Sequence, residues 1–199
     1  MAEILEPRIR ICLISGSIRP GNYTSMAVNV AMEALAGHPG IGVDLVSPEN
    51  LDLPFPGSGR ETEDQSWLKD RVKSATGVIL ATPEYHGSFS SVMKLVIENL
   101  GFPSLLSGKP VSLLGVAAGS IGAIKSLEQL RSVCSHIGAI VLPGPVSIAN
   151  VRDTFSAEGD LVDETVRKRI ERLVQQHLDY IESHVCPQYA LEAMVRQTN

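Results

Sequence analysis

The sequence predicts an α/β protein with a doubly wound parallel sheet in a single domain. Five short apolar runs alternate with five helical patterns along the 199 residues, which is the order expected of repeated β–α units. The chain is 44% hydrophobic and 20% charged, a balance typical of a globular protein with a substantial core. We therefore expect one domain over residues 1–199, with a five-stranded sheet, a core at about 8–185 and a short C-terminal tail.

The first half of the chain supplies two strands and two helices. Residues 8–14 alternate and then become apolar, as a strand entering a core does, and residues 43–46 form a second short apolar run. Helical spacing begins at about Ser25 and ends near Gly37, where the sequence Gly-His-Pro-Gly stops it. Residues 61–74 predict a polar, exposed helix.

The middle of the chain contains the strongest apolar segments. Residues 78–81 are continuously apolar, which favours a strand that is covered on both faces. Residues 92–100 predict a helix with little polar face, and such a helix is either buried or packed against another subunit. A fourth strand over residues 110–117 leads through a glycine-containing turn into a helix that ends at about His136.

The last part of the chain completes the alternation. Residues 139–142 predict the fifth strand, and residues 152–160 are interpreted as a loop. Residues 162–185 form a long amphipathic pattern with one apolar stripe, which indicates a helix lying on the sheet. The tail after Pro187 is short.

Composition excludes several classes of protein. The net charge is −5 and no basic cluster is present, which argues against nucleic acid as a partner. No apolar run approaches the length of a membrane span, and the first six residues are too acidic and too short for a signal peptide. The three cysteines are scattered and odd in number, which is typical of reduced thiols, so we expect a cytoplasmic protein without a membrane partner.

A turn rich in hydroxyl groups joins the first strand to the first helix. Free N–H groups and the positive end of a helix dipole at this point can hold a phosphate. Ser17, Thr24 and Ser25 can donate hydrogen bonds to it, and Arg19 can add a charge-assisted one. The dinucleotide motif Gly-x-Gly-x-x-Gly and the triphosphate motif Gly-x-x-x-x-Gly-Lys-Ser/Thr are both missing, which favours a mononucleotide. The alternative is an ordinary β–α turn with a Thr or Ser N-cap.

Two further loops follow the third and fourth strands, and parallel strands bring such loops to one edge of the sheet. In the first of them Pro83 rigidifies the chain, Gly87 permits a close approach to the backbone, and Tyr85 can lie beside a ring. Alternatively, these residues merely turn the chain. Residues 119–122, Gly-Ser-Ile-Gly, are either a third wall of the site or a flexible strand-to-helix turn.

Side chains for acid–base catalysis or metal binding are not predicted. Glu84 and His86 are two residues apart in a loop, so their side chains are expected to diverge, and no nucleophile accompanies them. His86 lacks a second metal ligand at a workable spacing. Lys94 is interpreted as a surface lysine rather than a ligand-binding group, and His177, like the remaining histidines, as structural or solvated.

Two of these loops together resemble the NAD(P)H-dependent FMN reductase family of the flavodoxin-like fold, which is related to quinone, azo and chromate reductases. Members carry Gly-Ser-x-Arg followed by Ser and Asn, and the chain has Gly16-Ser-Ile-Arg19, then Asn22 and Thr24-Ser25. Members also carry Thr-Pro-Glu-Tyr-Asn-Gly-Ser, and the chain has Thr82-Pro-Glu-Tyr-His-Gly-Ser88. The resemblance covers roughly residues 8–185, and it departs from the family pattern at Thr24 and His86, where Asn is usual.

The resemblance implies an FMN site formed by all three loops. The residues implied for the phosphate are Ser17, Arg19, Asn22, Thr24 and Ser25. Those implied for the ribityl chain and the ring edge are Pro83, Glu84, Tyr85, His86, Gly87 and Ser88. Those implied for the far side of the ring are Gly119, Ser120 and Gly122.

The same resemblance implies an oxidoreductase that transfers hydride from NADPH or NADH to bound FMN and then to a small-molecule acceptor. The acceptors would be free flavin, quinones, azo compounds or metal oxyanions, and the flavin carries the chemistry without a catalytic side chain. A homodimer or homotetramer that completes the flavin site between subunits is also implied. The alternatives are an electron-transfer protein of the flavodoxin type without a nicotinamide reaction, which Arg19 and the modest charge disfavour, and an inactive flavin-binding scaffold.

Overall fold

A parallel sheet with five strand positions forms the centre of the computed structural model, which describes residues 9–189 and 191. The strands lie in the order β2-β1-β3-β5-β6, with β7 also pairing with β5 and the short β4 pairing antiparallel with β3. Their bounds are β1 Ile9–Ser15, β2 Ile41–Val46, β3 Gly77–Tyr85, β4 Ser88–Phe89, β5 Pro110–Val116, β6 Ile140–Val141 and β7 Val146–Ile148. The predicted doubly wound fold is confirmed, because the order reverses direction between β1 and β3.

Helices cover both faces of the sheet. Their bounds are α1 Tyr23–Ala36, α2 Glu63–Ser74, α3 Ser91–Asn99, α4 Ile124–His136, α5 Val151–Thr154 and α6 Glu164–Tyr180. Helices α1 and α6 pack on one face against Ile11 and Leu13, and α2, α3 and α4 pack on the other against Cys12 and Ile14. Successive residues of β1 therefore enter opposite cores, which explains why the buried strands are continuously apolar.

The fifth strand position is split, which the sequence did not predict. β6 pairs with Pro110 and Val111, whereas β7 pairs with the segment 114–116 of the same strand. Between β6 and β7 the chain contains Pro143 and Pro145, which have no N–H to donate to a sheet, so the strand is interrupted. The prediction of one strand at 139–142 was therefore incomplete, because β7 lies beyond this interruption.

Helix boundaries differ from the prediction where caps decide them. Asn22 caps α1, so that helix begins at Tyr23 and not near Ser25. Residues 152–160 were predicted as a loop, but α5 covers Val151–Thr154 and Phe155 then forms an isolated bridge with Leu161. The long C-terminal helix is α6, which ends at Tyr180 and is followed by a π-helical turn over Ile181–Val185.

Some predictions concern parts of the chain outside the described residues. These are the start of the first strand at residue 8, the acidic first six residues and the tail beyond residue 191. Within the ranges 9–189 and 191, no helix combines the length and the hydropathy that crossing a bilayer requires.

His177 is buried between α6 and the sheet. Its Nδ1 lies 2.8 Å from Ser112 Oγ, and Nε2 has no hydrogen-bond partner within the described residues. A Cβ atom at Gly77 would lie only 2.3 Å from Nε2, so glycine at this position makes room for the imidazole. Burial lowers the pKa of His177 to about 4. The histidine is structural, as one of the two sequence interpretations proposed.

Candidate functional site

The carboxyl ends of β1, β3 and β5 meet at one edge of the sheet, where two neighbouring cavities open. The first has a volume of about 290 Å³ and the second about 390 Å³. Glu84, Ala117 and Ala118 line both cavities, so together they form one groove across the sheet edge. A groove of this size at the switch point of a doubly wound sheet is the usual place for a ligand.

The N-terminus of α1 faces the first cavity, and Asn22 organises it. Asn22 Oδ1 accepts a hydrogen bond from the N–H of Ser25 (2.8 Å), and its Nδ2 donates to the carbonyl of Arg19 (2.7 Å). The N–H groups of Tyr23 and Thr24 have no partner within the described residues. They are therefore available to an acceptor at the positive end of a fourteen-residue helix.

Buried hydroxyl groups lie beside these N–H groups. Ser17 is 2% exposed, and its Oγ lies 3.5 Å from the N–H of Arg19, which donates to it. Thr24 is 1% exposed, and its hydroxyl has no hydrogen-bond partner in the part of the chain that the structure describes. This hydroxyl oxygen is not among the buried polar atoms that lack a partner, so it is reached from the first cavity and can donate to a polar ligand there.

The loop between β1 and α1 is hydrogen-bonded to the end of β3. Gly16 donates its N–H to the carbonyl of Ala81 (2.7 Å), and a Cβ at Gly16 would lie 2.8 Å from that same oxygen. Ser90 Oγ donates to the carbonyl of Gly16 (2.6 Å) and accepts the N–H of Met93 (3.0 Å), which caps α3. Gly16 and Ser90 thus hold the first and second loops together, although the sequence did not single out Ser90.

The second loop is a tight β-hairpin between β3 and β4. Tyr85 pairs with Ser88, and the two central residues have positive φ angles, 51° at His86 and 75° at Gly87. Two-residue hairpins with positive φ at both central positions strongly prefer Asn-Gly, because Asn tolerates the left-handed conformation best after Gly. This preference gives a conformational reason why the family usually has Asn where this chain has His86.

Side chains of this hairpin are bound to α4. Glu84 Oε2 accepts the N–H of Ser126 in the first turn of α4 (3.1 Å). Ser88 Oγ donates to Gln129 Oε1 (2.7 Å), and Gln129 Nε2 donates to the carbonyl of Gly87 (3.0 Å). Glu84 therefore stabilises a helix N-terminus. That Glu84 and His86 do not form an acid–base pair stays a prediction.

The third loop joins β5 to α4 and closes the second cavity. Gly122 has a φ of 77°, and a Cβ there would lie 2.5 Å from Ser147 Oγ, which accepts the N–H of Ala123 (2.8 Å). Gly119 accepts the N–H of Asn150 (3.2 Å), and a Cβ at Gly119 would meet no atom within 4 Å. Ser147 of β7 and Asn150 therefore fix the loop, and the lack of a side chain at Gly119 leaves open space beside it.

The groove carries more positive than negative side chains. Arg19 and Arg152 line the first cavity, and within the described residues neither forms an ion pair with a carboxylate. Glu84 is the one carboxylate among the described residues that line the two cavities, and α4 already offsets its charge. The first cavity therefore suits an anionic group.

Comparison with known families shows which family the chain belongs to. The model of the family described as NADPH-dependent FMN reductase matches residues 9–153, which include all three loops. The chain belongs to this family. As a member, it is an oxidoreductase that uses FMN as cofactor and NAD(P)H as co-substrate.

Individual relatives of this FMN reductase family member span most of the chain. An NAD(P)H-dependent FMN reductase of Pseudomonas aeruginosa is 29% identical over 178 residues, covering 84% of this chain and 92% of the relative. A 2-hydroxy-1,4-benzoquinone reductase of a Burkholderia species is 24% identical and covers 87% and 96%. The solved structure of a flavoenzyme NAD(P)H:(acceptor) oxidoreductase from Paracoccus denitrificans has a TM-score of 0.74 at 23% identity, covering 88% and 98%, and supports the fold.

Most residues that the family resemblance implied do line the groove. Those lining the first cavity are Arg19, Asn22, Thr24, Pro83, Glu84 and Tyr85, and those lining the second are Glu84, His86, Gly87, Gly119, Ser120 and Gly122. Three implied residues line neither cavity: Ser17 is buried and accepts the N–H of Arg19, Ser25 Oγ faces Ser15 Oγ at 3.5 Å, and Ser88 is bound to Gln129.

Sequence reasoning missed other residues of the groove. Pro20, Gly21, Tyr23 and Ile121 lie inside the loops it identified, and Ala117 and Ala118 directly precede the third loop. Val151 and Arg152 are different, because they come from α5, and the sequence predicted no helix there and a loop from residue 152 onward. No signal in the sequence connects α5 with the first turn, since only the tertiary fold brings them together.

Proposed function

We propose that FMN binds along the groove with its phosphate in the first cavity. The observation that carries this proposal is a set of donors at the N-terminus of α1 that have no partner within the described residues, namely the N–H groups of Tyr23 and Thr24, the Thr24 hydroxyl at the cavity wall and the guanidinium of Arg19. These groups suit a phosphate monoester in number and in charge. Ser17 and Ser25 line neither cavity, and we propose that they support this turn, Ser17 by accepting the N–H of Arg19 and Ser25 by donating its N–H to Asn22.

The ribityl chain and the ring are proposed to lie over the second and third loops. The backbone of Pro83 to Gly87 offers donors and acceptors to a flat heterocycle, and the exposed ring of Tyr85 can lie beside it. Gly119, Ser120 and Gly122 form the opposite wall, where the absence of a side chain at Gly119 leaves room for a ring. The residues here bind and orient, and we propose no catalytic side chain.

When bound, FMN supplies the hydride-accepting and electron-donating chemistry of the reaction. The chain's own residues fix the ring at the sheet edge and leave one side of the groove open to solvent. NAD(P)H and the acceptor would both use this open side, so we propose that they bind in turn. The quinone reductase relative supports a quinone as one acceptor class, beside free flavin, azo compounds and metal oxyanions.

An absorption spectrum under anaerobic conditions tests this function. We expect flavin bands in the purified protein that bleach within seconds after NADPH or NADH is added. Bands that persist with both nucleotides would favour the flavodoxin-type alternative without a nicotinamide reaction. A colourless protein that does not take up added FMN would contradict the proposed site.

The phosphate position is tested by Arg19→Ala. Loss of a charge-assisted hydrogen bond should weaken FMN binding by roughly 1.5–3 kcal/mol, or about tenfold or more in Kd. Quenching of flavin fluorescence in a titration measures it. Arg169→Ala is a matched control, because Arg169 is an exposed arginine of α6 that does not line the groove. An unchanged Kd for Arg19→Ala would contradict the phosphate assignment.

We also propose that the protein is a cytoplasmic homo-oligomer. Phe102 is 98% exposed and lies at a surface depression of about 610 Å³ between α3 and α4. Pro56 also lines this depression, and its chain neighbour Phe55 is 75% exposed. A second copy of this chain is the proposed occupant of this Phe102 face. The apolarity of α3 itself does not require a partner, because Met93, Val96 and Ile97 are buried in the chain's own core.

A further inference from the structure

Arg152 is held beside the first cavity by a rigid segment. The N–H of Asn150 donates to the carbonyl of Gly119 (3.2 Å), and the N–H of Val151 donates to that of Ala117 (3.3 Å). On the other side, the ring of Phe155 packs against Tyr23 of α1, with 6.0 Å between the centroids. Helix α5 is therefore fixed between the third loop and the N-terminus of α1, and Arg152 is presented to the groove from a defined position.

Asn150 makes this position possible. It has a φ of 46°, a left-handed conformation that Asn tolerates better than most residues. The chain turns sharply here from β7 into α5. Buried Thr154 ends the turn, since its Oγ1 donates to the carbonyls of Ala149 and Asn150 at 3.3 and 3.2 Å. A non-glycine residue in this conformation is maintained only where surrounding contacts determine it.

The positive charge at the first cavity without Arg152 is smaller than the negative charge of a doubly ionised phosphate. A phosphate monoester carries about −1.5 to −2 charges at neutral pH. The N-terminus of α1 contributes about +0.5, and Arg19 contributes one full charge. Together they fall short of a dianion, and Glu84, the one carboxylate among the described residues that line this cavity, is bound to α4. Arg152 lines the same cavity, and within the described residues it has no carboxylate partner.

We infer that Arg152 is a second phosphate-binding residue of the FMN site, acting together with Arg19 on the 5′-phosphate. This inference rests on the proposed position of FMN in the groove. It adds a residue from α5, far from the turn in sequence, to a site otherwise formed by the loops after β1, β3 and β5. A guanidinium suits this role because its planar set of N–H donors matches phosphate oxygens.

Riboflavin provides the decisive comparison, because it has the same ring as FMN and lacks the phosphate. The full-length protein, freed of flavin and checked by circular dichroism, is titrated with each flavin while fluorescence quenching is followed. Arg152→Ala should raise the Kd for FMN about tenfold and change that for riboflavin less than twofold. Arg152→Lys should give a Kd for FMN between those of the wild type and Arg152→Ala, since lysine keeps the charge without the planar set of N–H donors. The control Arg169→Ala should leave both unchanged.

The outcomes separate this inference from the proposed function. An FMN affinity that falls in Arg19→Ala and not in Arg152→Ala overturns the inference and leaves the site in place. An FMN affinity unchanged in both variants contradicts the phosphate site itself. Equal losses of affinity for FMN and riboflavin in Arg152→Ala would indicate a structural role of α5. A KM of this variant that is raised for NADPH but not for NADH would assign Arg152 to the nicotinamide nucleotide. Both of these results overturn the inference.

Discussion

At the scale of single residues, His177 connects burial with stability. Its imidazole is neutral in the folded protein, because burial lowers its pKa from the ordinary value of 6.5 to about 4. In the unfolded chain the same group takes up a proton below about pH 6.5. The contribution of His177 is therefore fully present above pH 6.5 and is lost as the pH falls through this range to 4.

A variant measures this contribution. Between pH 7.5 and 4 the free energy of unfolding of the wild type should fall by about 3 kcal/mol more than that of His177→Gln, because the unfolded imidazole gains a proton near pH 6.5 and the buried one only near pH 4. Urea unfolding at several pH values measures the difference. His136→Gln, at an exposed histidine, controls for the loss of an imidazole. If the free energy of unfolding fell equally with pH in the wild type and in His177→Gln, protonation of His177 would not be the cause of the loss of stability.

At the scale of elements, the hairpin between β3 and β4 determines the shape of the second loop. His86 adopts a left-handed conformation at a turn position that favours Asn. We expect His86→Asn to keep or slightly raise the free energy of unfolding and His86→Ala to lower it by about 1 kcal/mol, because Ala has no local polar group to support positive φ. Chemical denaturation without flavin measures this. Equal stability of both variants would mean that the turn conformation does not limit which residue is tolerated.

The sequence motifs indicated the right loops, but elements acquire their roles from contacts that motifs do not record. Asn22 was assigned to the phosphate, and its side chain caps α1. Glu84 was assigned to the ring edge, and its carboxylate accepts an N–H of α4. A short-range sequence pattern can identify a helix cap only when the start of the helix is known. It cannot identify a hydrogen-bond partner about forty residues away, as Ser126 is from Glu84.

At the scale of the whole molecule, the Phe102 face predicts association. A fully exposed phenylalanine beside an apolar depression is costly in water, so burial against a second copy would be favourable. We expect Phe102→Asp to shift the protein to a smaller species in analytical ultracentrifugation. Val162→Asp, at an apolar residue that is 61% exposed elsewhere, is the matched control. A wild type that sediments as a monomer would contradict the proposed oligomer.

Alternating apolar runs and two loop motifs were sufficient to predict the doubly wound sheet, the family and most of the groove. These features are local: a buried strand needs consecutive apolar residues, and a phosphate turn needs hydroxyls and a helix start within a few residues. Tertiary structure alone decided that α5 packs beside the N-terminus of α1, so that Arg152 and Arg19 line one cavity. Those features depend on packing between segments more than a hundred residues apart, and the period of a sequence pattern carries no information about contacts at that distance.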